Sequence, residues 1–369
     1  MTRASGQVST ASNRTLVCIS LRGGHDSNNL VAPLDPQTYN LYAGGRGELA
    51  LPAASLLRIE SSRLRSAFGF PAQTPELASL YDRKALAIVA NEGDLQRPMT
   101  KAEYLRNPDA VAPDASSHTA SSKMQFLPDG FVTPRWFSAF VRKSPEDFAQ
   151  TAFRFLNGMV CGSLSGSWIT GERFDNPDLI QSINAVEVGT TFPASGIGQQ
   201  LLRAVKLAQT GSNLGLGNLV ISCGMSGWDT HTDELNKNTR LYAELSQALY
   251  AFHQATEELG ISQKVTAFTW SEFNRALAPN STHGTAHGWG GHQLVVGGAV
   301  KGGEIYGSFP SLELGGFDDA SGNGSWIPSI STAQYAGTFA KWFGINGGEQ
   351  RGVWPSLANF GVSDLGFLG

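Results

Sequence analysis

Thiols are scarce in this 369-residue chain: Cys18, Cys161 and Cys223 make an odd count with no Cys-x-x-Cys spacing. That points away from a disulfide framework, while leaving room for a single bridge. Cys18 and Cys223 lie inside apolar, strand-like runs and read as small buried hydrophobes. Charge is thin as well. Asp, Glu, Lys and Arg supply 16% of the residues, below the roughly 25% of an average soluble protein, and the net charge is −4. No lysine/arginine stripe occurs, so a nucleic-acid partner is not expected. No run approaches the roughly 18 apolar residues that a membrane span needs. The opening MTRASGQVSTASNR lacks the apolar segment of an intact signal peptide. It reads either as a cytoplasmic start or as the remnant of a trimmed export signal. Internal repeats, low-complexity tracts and the helical His-Glu-x-x-His zinc pattern are also missing.

What is present suggests an α/β protein. Hydrophobic residues at 41% are enough for a sizeable core, and 43 glycines imply many turns and close backbone approaches. Five β-prone runs stand out: residues 15–21, 85–90, 219–223, 265–270 and 293–298. Their continuous apolar character suits strands buried on both faces of a parallel sheet. Helices are expected over 75–83, 234–259 and 332–343. In the longest, Leu241, Leu245, Leu249, Phe252 and Leu259 share one face, Thr232 or Asp233 can cap the start, and Gly260 can end it. This helix joins the third and fourth runs, which predicts that those strands are parallel. Five prolines between 108 and 145 break up the middle of the chain. The organisation expected is a disordered or trimmed segment over 1–14, then a single domain over 15–369. An irregular insertion or cap interrupts that domain at about 100–215.

Four clusters carry the chemistry: Gly23-Gly24-His25-Asp26, Trp228-Asp229-Thr230-His231, Ser271-Glu272-Phe273, and His287 to His292. Three of them directly follow strand-like runs, and ligands of open α/β sheets bind where strands end. Oxygen and nitrogen donors with little thiol point to a divalent metal or a phosphate-type site. Asp26 either binds a cation or caps its own turn. Asp229 and His231, two apart, face one side of an extended backbone; they ligate one ion or cap the long helix. Glu272 is a ligand or a solvated strand-end charge, and Arg275 pairs with it or holds an anion by a forked contact. His283, His287 and His292 crowd a glycine-rich segment, with His287 and His292 the stronger ligand candidates. Ser116-Ser117-His118-Thr119 precedes a short helix expected over 120–126. Ser117 is there a nucleophile or an ordinary cap.

In this order the clusters resemble a bacterial family, the domain of unknown function 1501, and through it the alkaline phosphatase-like superfamily. The matching pieces are Leu21 to Leu30, Phe68-Gly69-Phe70, Ser117-His118, Gly227 to His231, Thr269 to Arg275, Gly284 to Gly290 and Gly297 to Gly307. The resemblance implies a three-layer sandwich with a mostly parallel central sheet, the site at the sheet's C-terminal edge. It also implies Ser117 as nucleophile and metal ligands drawn from Asp26, Asp229, His231, Glu272, His287 and His292. Two departures are visible: Phe273 stands where the superfamily has a histidine, and Ala286 where the family has an aspartate. One ion, or none, is then expected rather than two. No Cys-x-Pro-x-Arg stretch supports a modified-cysteine sulfatase.

The resemblance implies a metal-dependent hydrolase of phosphate or sulfate esters, the ion being zinc, magnesium, manganese or calcium. Arg22 or Arg275 would neutralise the developing charge, and the substrate would be a small-molecule or carbohydrate ester. Relatives with twin-arginine export signals imply a periplasmic setting. The alternative is a non-catalytic exported protein binding a carbohydrate or anion, with Trp228, Trp270 and Trp289 as stacking platforms.

Overall fold

The first strand, β1 (Thr15–Arg22), is apolar and β-branched enough to be buried along nearly its whole length. It accepts a parallel neighbour on each side. The computed structural model describes residues 13–107, 124–127, 131–134, 161–163, 166–168, 177–215, 218–345 and 347–369. Around β1 stand β2 (Leu86–Gly93), β3 (Leu219–Ser226), β4 (Val265–Trp270), β5 (Arg275–Pro279), β6 (Thr285–His287), β7 (Gly291–Gly297), β8 (Glu304–Tyr306) and β9 (Ile330–Ser331). Seven of these strands form one sheet in the order β3-β1-β4-β7-β2-β8, with β9 also paired to β2. Only β7 runs antiparallel to its neighbours β4 and β2. The mostly parallel sheet is as expected.

Alternate residues of the strands feed two cores. Val17, Ile19, Leu86, Ile88, Ile221 and Ala267 face one layer of helices: α1 (Pro75–Asp82), α2 (Gly196–Asn213) and α3 (Glu234–Glu258). Leu16, Cys18, Val89, Phe268 and Val295 face the other, where α4 (Thr332–Trp342) brings Tyr335, Ala336 and Phe339. Each fully buried aliphatic side chain contributes roughly 1.5–3 kcal/mol, so this two-sided burial is the main stabilising term. Helix–sheet–helix layering is the three-layer sandwich anticipated above. Cys18 and Cys223 are buried, consistent with their reading as small hydrophobes.

Three local expectations need correction. Helix α2 lies inside the stretch assigned to a cap, yet its Leu201, Ala204, Val205 and Ala208 pack into the sheet's core. Its glycines and Thr210 and Ser212 lower helix propensity, and tertiary burial overrides them. The segment 124–127 is a strand paired with Phe131–Pro134 rather than the end of a helix. The start of α3 is not closed by a side chain of Thr232 or Asp233. Asp233 and Glu234 instead donate their backbone N–H groups to the carbonyls of Thr282 and His283. No helix among the described residues is long and apolar enough to cross a membrane.

Candidate metal centre

Strand β3 ends just before Gly227, whose φ of 108° turns the chain sharply. Trp228 then buries completely against His25 and Tyr242, with ring centroids 4.7 and 5.6 Å away. The chain then turns tightly, the Thr230 and His231 N–H groups donating to the carbonyls of Trp228 (2.8 Å) and Asp229 (3.1 Å), so that Thr230 is buried while Asp229 and His231 are both exposed. A hairpin, β5–β6, closes over them and sets His287 directly opposite Arg275. Its tip fits because position 284 is glycine. A Cβ there would lie 2.2 Å from the His231 carbonyl carbon. Asn280 and Thr282 also donate side-chain hydrogen bonds to the His231 carbonyl, at 2.9 and 2.7 Å.

Asp229, His231 and His287 come together, their donor atoms all within 4.8 Å of one another. Asp229 Oδ1 lies 2.8 Å from His231 Nε2 and 3.1 Å from His287 Nε2, and the two Nε2 atoms are 3.1 Å apart. A tetrahedral zinc with bonds of about 2.05 Å has ligand–ligand edges of about 3.3 Å, so this triangle is close to one face of such a site. All three side chains reach solvent, at 44%, 48% and 22% exposure, which leaves an open side for a further ligand. Phe273 stacks on the His287 ring at 4.2 Å and fixes its plane. The residue standing where a second histidine was expected is therefore a platform for this one.

Arg275 completes the group from beneath. Fully buried, it donates to Asp229 Oδ1 (2.8 Å), His231 Nδ1 (3.2 Å), Thr285 Oγ1 (3.0 Å) and the Thr285 carbonyl. Partial burial pushes the Asp229 carboxyl up. The hydrogen bond from Arg275 and the nearby His231 outweigh it, and the net shift is downward, so Asp229 stays ionised.

Beyond this geometry, the donors fit a divalent ion on one further count and resist it on one. Three N–H donors on the single oxygen Oδ1 exceed its lone-pair directions, and an ion taking the two imidazole nitrogens would relieve that crowding. Against this, arginine can only donate, so its contact with Nδ1 leaves the His231 proton on Nε2. Ion binding at His231 therefore requires Arg275 to release Nδ1.

The other expected ligands are not in this group. The Asp26 carboxylate is wholly buried. It caps the turn at Asn28 (3.2 Å) and accepts from Arg46 (2.5 Å), Tyr242 (3.2 Å) and Asn238 (3.3 Å). Glu272 accepts the backbone N–H groups of Gly23 and Gly24 and so clamps the glycine turn after β1. His292 accepts the Asn91 N–H at Nδ1 (3.0 Å), which puts its proton on Nε2 and removes that atom as a neutral metal ligand. His283 pairs with Glu48 at the exposed hairpin tip. Ser117 lies outside the described residues.

Sequence reasoning did not find the buried partners Arg46, Glu234, Tyr242 and Thr285. Arg46 bridges Asp26 and Glu234 (2.5 and 2.6 Å); Glu234 accepts from Thr285 Oγ1 (2.6 Å), which accepts from Arg275. An unbroken chain of hydrogen bonds thus runs from Asp26 to Asp229. Burial, then the negative charge of Asp26, pushes Glu234 up to about 7 against the opposing pull of Arg46.

Residues 179–320 match the family model described as protein of unknown function (DUF1501). The match bears out the resemblance read from the motifs; it contains the Trp228–His231, Ser271–Arg275 and Gly284–Gly290 clusters and leaves Gly23–Asp26 outside. No curated protein matches the chain. Among solved structures it is similar to the lipoteichoic acid synthase LtaP from Listeria monocytogenes, at 10% identity and a TM-score of 0.39. That likeness covers 92% of this chain and 74% of the other. It is similar to the PsFucS1 sulfatase from Pseudoalteromonas sp. at 10% identity and a TM-score of 0.33, covering 88% and 71%. It is also similar to a phosphonate monoester hydrolase of Agrobacterium radiobacter at 9% identity and a TM-score of 0.34, covering 90% and 74%.

Proposed function

We propose that this protein is a metal-dependent hydrolase of phosphate or sulfate esters, working at Asp229, His231 and His287. One observation carries the reading: a carboxylate oxygen and two imidazole nitrogens, 2.8–3.1 Å apart, on a face open to solvent. A divalent ion held there supplies Lewis acidity toward an ester oxygen and lowers the pKa of water. Asp229, kept ionised, offsets the ion's charge, and Phe273 holds the His287 ring in plane. Arg275, once it releases His231 Nδ1, frees one N–H beneath the same face while its other groups stay bonded to Asp229 and Thr285. There it neutralises charge on a phosphate or sulfate oxygen. The resemblance implies Ser117 as nucleophile and the periplasm as the setting. Replacement of Ser117 by alanine and fractionation of the native cells check these two points.

The test is elemental analysis of protein purified without chelator or nickel resin, followed by assays on aryl phosphates, phosphodiesters and sulfates. The expected result is about one ion per chain, lost in His231→Ala together with turnover. A second reading rests on the Arg275–His231 contact, which favours a metal-free cluster of arginine and imidazole binding an anion. It gains if activity or anion binding survives complete chelation. A bound ion without turnover on any ester would leave a metal-binding protein that is not a hydrolase of this class.

A further inference from the structure

Two buried arginines lie near the metal cluster, and one carboxylate links them. Arg46, Glu234, Arg275 and Thr285 are all closed to bulk solvent. Glu234 opens α3, Arg46 ends the helix Pro36–Arg46, and Arg275 and Thr285 belong to the hairpin β5–β6. Glu234 Oε1 accepts from Arg46 at 2.6 Å, and Oε2 accepts from the Thr285 hydroxyl at 2.6 Å. The direction of this relay is fixed. Arg275 Nε–H can only donate, so Thr285 Oγ1 accepts from it at 3.0 Å, and the single hydroxyl proton is left for Glu234. Thr285 meets Arg275 a second time through its carbonyl. Asp229 Oδ1, His231 Nδ1 and the Gly23 carbonyl (3.4 Å) take the other N–H groups, so five contacts match the five donors of a guanidinium. An ion at His231 removes one of the five.

We propose that Glu234 is a positioning residue for Arg275: through the Thr285 hydroxyl it keeps the guanidinium beneath the metal cluster when the contact with His231 is given up. The use of Arg275 at an ester oxygen rests on the hydrolase reading above; the hold of Glu234 on Arg275 does not. As the acceptor for Thr285, the carboxylate turns a lone pair of the hydroxyl toward Arg275 Nε, and its charge strengthens the bond. Its other oxygen engages Arg46, which fixes the carboxylate itself. The Glu234 backbone N–H on the His283 carbonyl (2.9 Å) ties the same residue to the hairpin again. Glutamine at 234 has the same shape and the wrong polarity. Arg46 can only donate, so the amide oxygen turns to it and the amide N–H turns to Thr285. Oγ1 then accepts from two sides, and its own proton loses its acceptor.

The test uses chelator-treated protein at about pH 8, above the value of about 7 to which burial and the charge of Asp26 raise Glu234. Proton–nitrogen NMR spectra of the imidazoles report whether His231 Nδ1 accepts a hydrogen bond, its signal assigned by its loss in His231→Ala. In the parent, Nδ1 should show the shift of a bonded nitrogen. In Glu234→Gln and Thr285→Val it should move toward that of an unbonded one, and in Thr285→Ser, which keeps the hydroxyl, it should stay. Glu234→Asp, one methylene short of Thr285, replaces Glu234→Gln if the latter does not fold. An unbonded Nδ1 in the parent overturns the proposal, as does an unmoved signal in the Glu234 and Thr285→Val variants. A Thr285→Ser protein that behaves as Thr285→Val overturns it too. With zinc restored, affinity for inorganic phosphate should fall about tenfold in Glu234→Gln and Thr285→Val at parental zinc content. Equal phosphate affinity in parent and variants overturns the role at the loaded site. A parent that binds neither zinc nor phosphate counts against the hydrolase reading, and the spectra still decide whether Glu234 holds Arg275.

Discussion

A buried carboxylate and an exposed one sit at the two ends of the same hydrogen-bonded chain, and their roles differ because their surroundings do. Asp26 is fully enclosed with Arg46 as its ion-pair partner, whereas Asp229 is 44% exposed beside two imidazoles. Asp26→Asn should cost about 3 kcal/mol or more in urea unfolding, because it breaks a buried pair and leaves Arg46 short of charge. Its metal content should stay that of the parent. His287→Ala should do the reverse: metal is lost, and the urea midpoint moves little. A loss of metal in Asp26→Asn at unchanged stability would return Asp26 to the ligand set. Asp229, His231, His287 and Arg275 were legible as candidates because acids, imidazoles and guanidinium cluster after apolar runs. Glu234 was not legible. A carboxylate at the start of a helix is ordinarily solvated and favoured by the dipole. Its partners Arg46, 188 residues away, and Thr285 make it a buried group.

The hairpin β5–β6 is the element on which the centre depends. It supplies Arg275 and His287, holds the His231 carbonyl, and caps α3 through the carbonyls of Thr282 and His283. Gly284→Ala places a methyl group against the His231 backbone, so the tip must lift. We expect a cost of about 1–3 kcal/mol, as for other overpacked sites. Metal affinity should fall more steeply than stability, measured by titration against a competing chelator. Equal metal affinity in Gly284→Ala and parent would show that the tip does not position His231. Helix α3 was legible from the spacing of Leu241, Leu245, Leu249 and Phe252. Helix α2 was not, since Gly196, Gly198 and Gly211 argue locally for loop and only contact with the sheet decides the matter. The hairpin itself gave little local signal, because β6 has three residues and its register is set by contacts with Arg275 and Thr230.

Over the whole molecule, buried titratable groups set opposing pH dependences. Burial holds His25 at about 4, against the pull of Asp26, and His292 at about 3; the ordinary value is 6.5. Unfolded chains therefore take up protons below pH 6.5 that folded ones refuse, and stability is lost as pH falls toward 3. Glu234 acts the other way. Its folded value of about 7 exceeds the ordinary 4.5, so its contribution is complete below 4.5 and lost as pH rises through 7. Two imidazoles outweigh one carboxyl below pH 6.5, so thermal midpoints should peak between about pH 6 and 7 and fall on the acid side. His292→Phe should shallow that acid limb; an unchanged slope would mean the imidazole is not the group that titrates. The layered α/β plan was legible because each strand is a short apolar run. The strand order was not, for it depends on pairings between distant segments. Residue 15 pairs with residues 219 and 265. At roughly 5–20 residues per second, a ribosome makes that first strand about 10–40 s before its earliest neighbour exists. A nascent chain must keep that greasy segment out of trouble throughout the delay, and any product that stops short of residue 219 leaves it with no neighbouring strand to join.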